Sequence, residues 1–527
     1  MPKLPIGIQS FEKLRREGYL YIDKTMYIGS LLEGGSVYFL SRPRRFGKSL
    51  LVSTMEAYFQ GKKDLFAGLA ISDYEAMKSE EQQWISYPVM KFSLAGGEYQ
   101  SPEGLEDMLD SCLKRYESVY LKEGETAPGK TLAVRFGNLI RMAAEECGRP
   151  VVILVDEYDK PLLENLSVNP EQEEKNRALF KSFFSVLKDK DEYLKFTFFT
   201  GVTKFSKVSI FSDLNQLRDI SLLNQYSGIC GMTQQEMERA FAGELTSLAA
   251  ESGESVEECR IQLKEMYDGY CFSKDGVKVY NPFSLLNAFA DLDLRSYWFG
   301  TGTPTFLIHK LQASRFRPVD FNAGVKSTEK AMDDYRIDNP DPVPLFYQSG
   351  YLTITGYDRR MKQYLLAFPN REVRNGFVDS IFPYYFNQTE SEGAFDLEKF
   401  VYDLDHGDVD SFMTRLQSLF ASLNYPEGAA PYSEHDFQSS LFIIFCMLGE
   451  VVRTEVHTAK GRTDCEAEDG GLVYLFEFKV DQTADEALRQ INDMQYALKY
   501  AASGKTVYKI GVNFSTKDRT VTEWKVG

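Results

Sequence analysis

Apolar and polar positions follow one another along this chain in two rhythms: short, unbroken apolar runs and longer amphipathic ones. Val37-Tyr38-Phe39-Leu40 is one such short run, and Leu50 to Phe59, stopped at Gly61, is a long one. Between them stands Ser41-Arg42-Pro43-Arg44-Arg45-Phe46-Gly47-Lys48-Ser49. A second strand is predicted at Pro88 to Leu94 before Gly96-Gly97, and a charged helix from Gly104 to Glu123. Val151-Val152-Ile153-Leu154-Val155 is apolar throughout and mostly β-branched, the pattern of a strand covered on both faces of a parallel sheet. Leu194 to Gly201 predicts a further strand. Four strands separated by helices predict a doubly wound α/β domain with right-handed crossovers.

The rhythm changes after about residue 225. Thr233-Gln234-Gln235-Glu236 and Ser255-Val256-Glu257-Glu258 are capping boxes, each opening a helix. Aromatic, turn-rich segments follow at 280–286 and 297–304, and they read as the core of a helical subdomain. Phe346 to Tyr357 reads as a hairpin strand continued by Tyr364 to Asn370, and 371–430 as helical. The expected domains are 1–225, 226–345, 346–430 and 431–527. A polar Asp23-Lys24-Thr25 before Met26 to Leu32 marks one more helix start.

Composition limits what such a chain does. Its 527 residues exceed a single core, and its formal charge of −17 disfavours a broad basic face coating duplex DNA. A recessed nucleic-acid site stays compatible with that total. Seven scattered cysteines (Cys112, Cys147, Cys230, Cys259, Cys271, Cys446, Cys465) form no C-x-x-C pair, and four histidines argue against a histidine metal site. No run approaches the ~20 apolar residues that span a bilayer, and the N-terminus lacks an apolar signal core. The expectation is a cytoplasmic protein without a membrane partner.

Strand, loop, then Gly47-Lys48-Ser49 opening a helix is the layout of a phosphate-binding loop. A helix N-terminus offers free N–H groups and a positive dipole end to an anion. On this reading Arg44, Arg45, Phe46, Gly47, Lys48, Ser49 and Leu50 surround ATP, Lys48 reaches the terminal phosphates and Ser49 ligates Mg²⁺. Arg42 stands where such loops usually have glycine, and the three arginines either add charge for phosphates or form a solvated basic turn. Asp156 and Glu157 fall at the carboxyl end of their strand, where ligands of open α/β sheets bind. Asp156 is the expected Mg²⁺ residue and Glu157 the base for water; the plain alternative is a strand ending in exposed acids. Thr203 and Lys204, after the fourth strand, are candidate γ-phosphate sensors or simply structural. Arg177 or Arg218 would serve a neighbouring site if the chain assembles into a homo-oligomeric ring.

The last stretch carries a second constellation. Asp464 precedes a turn at 468–471, and Glu477 and Lys479 share one face of the strand that follows. Asp464 and Glu477 make an oxygen site for Mg²⁺ or Mn²⁺, and Lys479 would orient water or balance phosphodiester charge. Glu434, opening a helix upstream, is a further carboxylate. Gln490 faces the site from a downstream helix, with Tyr496 later on it. Alternatively, the three charged residues form an exposed ladder of cross-strand pairs.

The segments YIDKT, FLSRPRRFGKSL, VVILVDEYDKPL and FTGVTKFSKVSIFSDLNQL together resemble the bacterial AAA-ATPase-like family of P-loop proteins. In that family an Arg-Pro-Arg-Arg-Phe-Gly-Lys-Ser loop is typical. The tail, SEHDF with GRTDCEAEDGGLVYLFEFKV and ALRQI, is similar to the PD-(D/E)XK nuclease-superfamily domain that often accompanies it. YNPFSLL and FYQSGYLTI also resemble this family. The resemblance implies a P-loop NTPase domain with a parallel sheet, a helical middle and a C-terminal α/β restriction-endonuclease-like domain. It also implies Asp464, Glu477 and Lys479 as a catalytic triad supported by Glu434 and Gln490. The expected function is an ATPase coupled to a metal-dependent nuclease acting on DNA. The alternative is a signalling or scaffold NTPase whose tail binds without cleaving.

Overall fold

The structure is a computed structural model that describes residues 3–165, 168–204, 211, 214, 216–298, 305–312, 314, 316, 318–333, 341–386, 399–422, 442–444, 446, 452–458, 461–469 and 471–527. The chain divides into two units, Met1–Gly300 with Lys326–Glu372, and Thr301–Val325 with Val373–Gly527. Among the described residues no helix is long and apolar enough to cross a membrane.

In the first unit, helix α1 (Met26–Gly34) leads into strand β1 (Val37–Ser41), the loop, and helix α2 (Lys48–Phe59). Thr25 stands at the N-cap of α1 but does not cap it; its hydroxyl donates instead to Asp23 at 2.6 Å. Strands β2 (Val89–Ser93), β3 (Val151–Asp156) and β4 (Leu194–Gly201) follow, and two-residue β5 (Arg218–Asp219) completes a parallel sheet of order β2-β3-β4-β1-β5. The four long strands stand where the apolar runs predict them. β5 carries no apolar run, and its pairing with Tyr38 and Phe39 is made by the fold alone. Every residue of β1 and β3 is buried, as their unbroken apolar character requires. The register sets Asp156 beside Thr200 and Ser93, and Ser41 beside Gly201, so the polar strand ends meet at one edge.

The middle region is helical. Both capping boxes form, opening α3 (Gln234–Ala240) and, after α4 (Ala242–Ser252), α5 (Val256–Tyr267). Met237, Phe241, Leu245, Leu263, Tyr267 and Phe289 share one apolar core there, joined by α6 (Pro282–Asp291). One expectation is corrected. Residues 346–349 are not strand but the end of helix α7 (Val343–Ser349). Pro344 in its first turn fixes a helical φ, and Gly350 at φ 95° stops it. The hairpin proper is β6 (Thr353–Asp358) and β7 (Gln363–Ala367).

In the second unit, helix α8 (Val409–Ser422) is followed by β8 (Val452–Thr458), β9 (Gly461–Asp469), β10 (Leu472–Val480), helix α9 (Ala484–Asp493), β11 (Thr506–Ser515) and β12 (Thr520–Val526). The sheet order is β12-β11-β10-β9-β8. β10 and β11 run parallel and the other neighbours antiparallel. A parallel pair needs a crossover, and α9 supplies it. The alternation along β10 is kept: Val473 and Leu475 pack with Ile491 and Tyr496, whereas Phe476 meets Phe412 of α8.

Candidate functional site

The loop after β1 reverses at Arg45 (φ 68°) and Gly47 (φ 87°), while Arg42 takes no left-handed conformation. Arg42 has a different task. It is 1% exposed, and its guanidinium donates to the carbonyls of Ser41 (2.8 Å), Ser221 (2.9 Å) and Tyr226 (3.1 Å) while lying 4.2 Å over the Phe272 ring. Arg45 donates to the Tyr297 and Trp298 carbonyls at 3.0 and 3.2 Å and stacks 3.9 Å from Phe283. Glu372 accepts the N–H groups of those same two residues, at 2.7 and 2.9 Å. Phe46 packs edge-on against Tyr270 and Phe272. Two arginines and a phenylalanine of the loop are therefore anchors to the helical middle. The planar, five-donor guanidinium suits this work, since it satisfies several carbonyls at once. Arg44 is exposed.

Lys48 is buried and donates to the Arg42 and Pro43 carbonyls at 2.9 and 2.8 Å. Burial pulls its ammonium below the usual range, and Asp156 opposes that shift. Asp156 is 5% exposed. Burial raises its carboxyl, against the pull of a hydrogen bond with Ser49 and of the Lys48 charge. Its Oδ1 has no hydrogen-bond partner among the described residues. A buried, unpartnered carboxylate oxygen next to a serine hydroxyl fits a hard cation bound by oxygen. A cavity of about 370 Å³ opens there, lined by Ser49, Asp156, Ser53, Glu56, Lys91 and Ser93 among others. Glu157 adopts φ 56°, a conformation that costs a non-glycine residue about 1 kcal/mol or more. Burial and then Asp156 raise its carboxyl.

Thr203 is tied down: its N–H and Oγ1 both donate to Asp159 Oδ2, at 2.6 and 2.8 Å. Lys204 pairs with Asp219 at 3.0 Å. Leu50 is half-buried on α2. Arg177 pairs with Glu173 and Glu174 of its own helix, and Arg218 donates to the Gly34 carbonyl at 3.3 Å. Sequence reasoning missed Asp159, which organises the tip of β4. Its signal was a second aspartate three residues beyond Asp156, in the turn that follows β3.

In the second unit the register Cys465↔Phe476 continues to set Asp464 opposite Glu477. Asp464 Oδ2 accepts the Phe478 N–H at 2.9 Å. Glu477 is 1% exposed, and Lys479 reaches its Oε1 at 3.4 Å. Gln490 of α9 bridges the two: its Nε2 donates to Glu477 Oε1 and its Oε1 accepts from Lys479 Nζ at 2.6 Å. Burial, then Asp464, pushes the Glu477 carboxyl up to about 7, with Lys479 opposing. Glu477 Oε2 is buried with no hydrogen-bond partner among the described residues, which again fits a cation shared with Asp464. A solvent-exposed charge ladder would leave none of these groups buried. Glu434 lies outside the described residues. Tyr496 is not on α9, which ends at Asp493; it is buried in a following 3₁₀ turn as core. Among the described residues no group of three or more His, Cys, Asp or Glu side chains is gathered for a metal.

The geometry depends on Gly511. It pairs with Glu477, and a Cβ there would lie 2.3 Å from the Ala484 carbonyl oxygen and 2.6 Å from the Leu488 nitrogen. α9 therefore presses directly on β11 at the level of the carboxylate. The lone glycine inside this strand was the available signal.

A family model described as "Predicted AAA-ATPase" matches residues 5–211, and one described as "PD-(D/E)XK nuclease superfamily" matches residues 432–524. A relative from Azotobacter chroococcum mcd 1, "Uncharacterized protein in vnfD 5'region", is 37% identical over 535 residues, covering 99% of this chain and 98% of the relative. No solved structure matches the chain. With the loop, the strand-end acids and the Asp464–Glu477–Lys479 cluster in the same order as those matches, the chain belongs to the AAA-ATPase-like family and carries a C-terminal PD-(D/E)XK nuclease-superfamily domain.

Proposed function

We propose that this protein binds and hydrolyses ATP in its first unit and cleaves DNA with a divalent metal in its second. The observation that carries the reading is that two of the buried carboxylate oxygens without a hydrogen-bond partner, Asp156 Oδ1 and Glu477 Oε2, lie beside the serine, lysine and second carboxylate that a metal-dependent phosphate chemistry needs. At the first site the N–H groups of Gly47, Lys48 and Ser49 and the Lys48 ammonium hold the phosphates. Lys48 leaves the Arg42 and Pro43 carbonyls to do so. Ser49 and Asp156 would hold Mg²⁺, and Glu157 orients and deprotonates the attacking water.

At the second site Asp464 and Glu477 would hold Mg²⁺ or Mn²⁺. The ion would supply a water of lowered pKa and charge stabilisation for the phosphodiester. Lys479, fixed by Gln490, donates toward the reacting phosphate oxygens or holds the water in line. Gln490 holds both the ammonium and the carboxylate in place.

Purified protein is to be assayed for ATP turnover and for cleavage of labelled DNA with Mg²⁺ or Mn²⁺, with and without ATP. Glu157→Gln should stop turnover while leaving ATP bound, and Glu477→Gln should stop cleavage while leaving turnover intact. Turnover without cleavage of any nucleic acid by the unaltered protein would leave a signalling or scaffold NTPase instead.

A further inference from the structure

Glu466 is a buried charge that the proposed chemistry does not use. It is 1% exposed on β9, two residues from Asp464, so both side chains leave the same face of the strand about 7 Å apart. Its Oε1 accepts the Tyr500 hydroxyl at 2.5 Å, and its Oε2 pairs with Lys499 Nζ at 2.5 Å. Tyr500 and Lys499 end the 3₁₀ turn Tyr496–Tyr500, whose first residue is locked into the core with Val473, Leu475 and Ile491. The Lys499 side chain nevertheless keeps 35% of its surface exposed, and its ammonium stands 4.9 Å from the Tyr500 ring.

For stability alone this arrangement is a poor choice. Burying the glutamate of this half-exposed ion pair returns little beyond its desolvation cost, and a neutral acceptor would hold Tyr500 as well. What the carboxylate adds is direction. It ties a flexible, partly exposed lysine to a carboxylate two residues along β9 from Asp464.

We propose that Lys499 contacts the phosphate next to the one cleaved, and that Glu466 is its positioning residue. This inference rests on the DNA-cleaving reading of the second unit. The full chain is to be titrated with a labelled duplex oligonucleotide in Ca²⁺ at several salt concentrations. Losing one phosphate contact lowers the slope of log K against log[salt] by about 0.9 and weakens binding about eightfold at 0.1 M salt. Lys499→Gln should show both changes and Lys499→Arg should restore both. A double variant, Glu466→Gln with Lys499→Gln, keeps an acceptor for Tyr500 and leaves no unpaired buried charge, so it reports the same slope from a stable fold. An unaltered slope in the glutamine variants overturns the contact while leaving DNA cleavage standing. Failure of the unaltered protein to bind the duplex removes the DNA reading itself and this contact with it.

Discussion

Substituting Gly511→Ala tests how the second site is held. The added Cβ would lie 2.3 Å from the Ala484 carbonyl oxygen, 2.6 Å from the Leu488 nitrogen and 3.0 Å from Leu488 Cβ, and carbon does not approach such atoms closer than 3.0 Å. Two of these three neighbours are backbone, so no rotamer change relieves the clash; α9 has to move outward by roughly 1 Å, an overpacking that typically costs about 1–3 kcal/mol. Gln490 rides on the same helix six residues after Ala484. Its 2.6 Å bond to Lys479 would open past hydrogen-bonding range, and its contact with Glu477 would go with it. A misplacement of about 1 Å lowers rate by about 100-fold. Single-turnover cleavage of DNA in Mg²⁺ reads that loss, and ATP turnover by the same preparation should be unchanged. Gln490→Ala should lose a similar factor, and the double variant should lose little more than either, because both act through one bridge. Cleavage at the unaltered rate by a folded Gly511→Ala protein would refute the argument, as would fully additive losses.

Three other outcomes follow from the same geometry. Glu477 sits near 7 instead of 4.5, so its folded-state carboxyl is raised, and the stability it lends is present at low pH and lost as pH rises through about 7. Metal-free Glu477→Gln protein should therefore be more stable than the parent above that pH, by at most about 3 kcal/mol, and denaturant titrations in which the gap stays constant with pH would contradict this. Arg42→Met leaves three buried carbonyls without their donor, at about 1–3 kcal/mol each; it should lower the melting temperature and weaken ATP binding together, and a variant with normal values for both would show that the anchor is idle. Lys48→Ala removes the charged donor to the phosphates and should weaken ATP about 100-fold in calorimetry; DNA cleavage that then stays equal with and without ATP to that of the parent would separate the two units functionally.

The apolar runs alone determined the four long strands of the first sheet: β1 and β3 are buried along their whole length and so almost wholly apolar, while edge strand β2 and the start of β4 also admit a lysine. The capping boxes determined their helix starts for an equally local reason, since both partners lie within one turn. Spacing likewise put Gly47-Lys48-Ser49 at a helix start, Asp156-Glu157 at a strand end, and Asp464 on the strand beside Glu477 and Lys479, while their roles are proposed above. Only the tertiary structure decided what surrounds them. It turned Arg42, Arg45 and Phe46 into anchors by bringing up carbonyls and rings from 221–226, 270–272, 283 and 297–298. It made residues 346–349 helix where a strand was expected, and it formed the two-residue β5 with no apolar run at all. The downstream helix already offered Gln490 to the site, but seating α9 on Gly511 fixed which atoms it bonds, and the fold drew Glu466 to Tyr500 and Lys499. Each of these depends on contacts between residues far apart along the chain, and a hydrogen-bonding group's partner at that distance is set by how the elements pack.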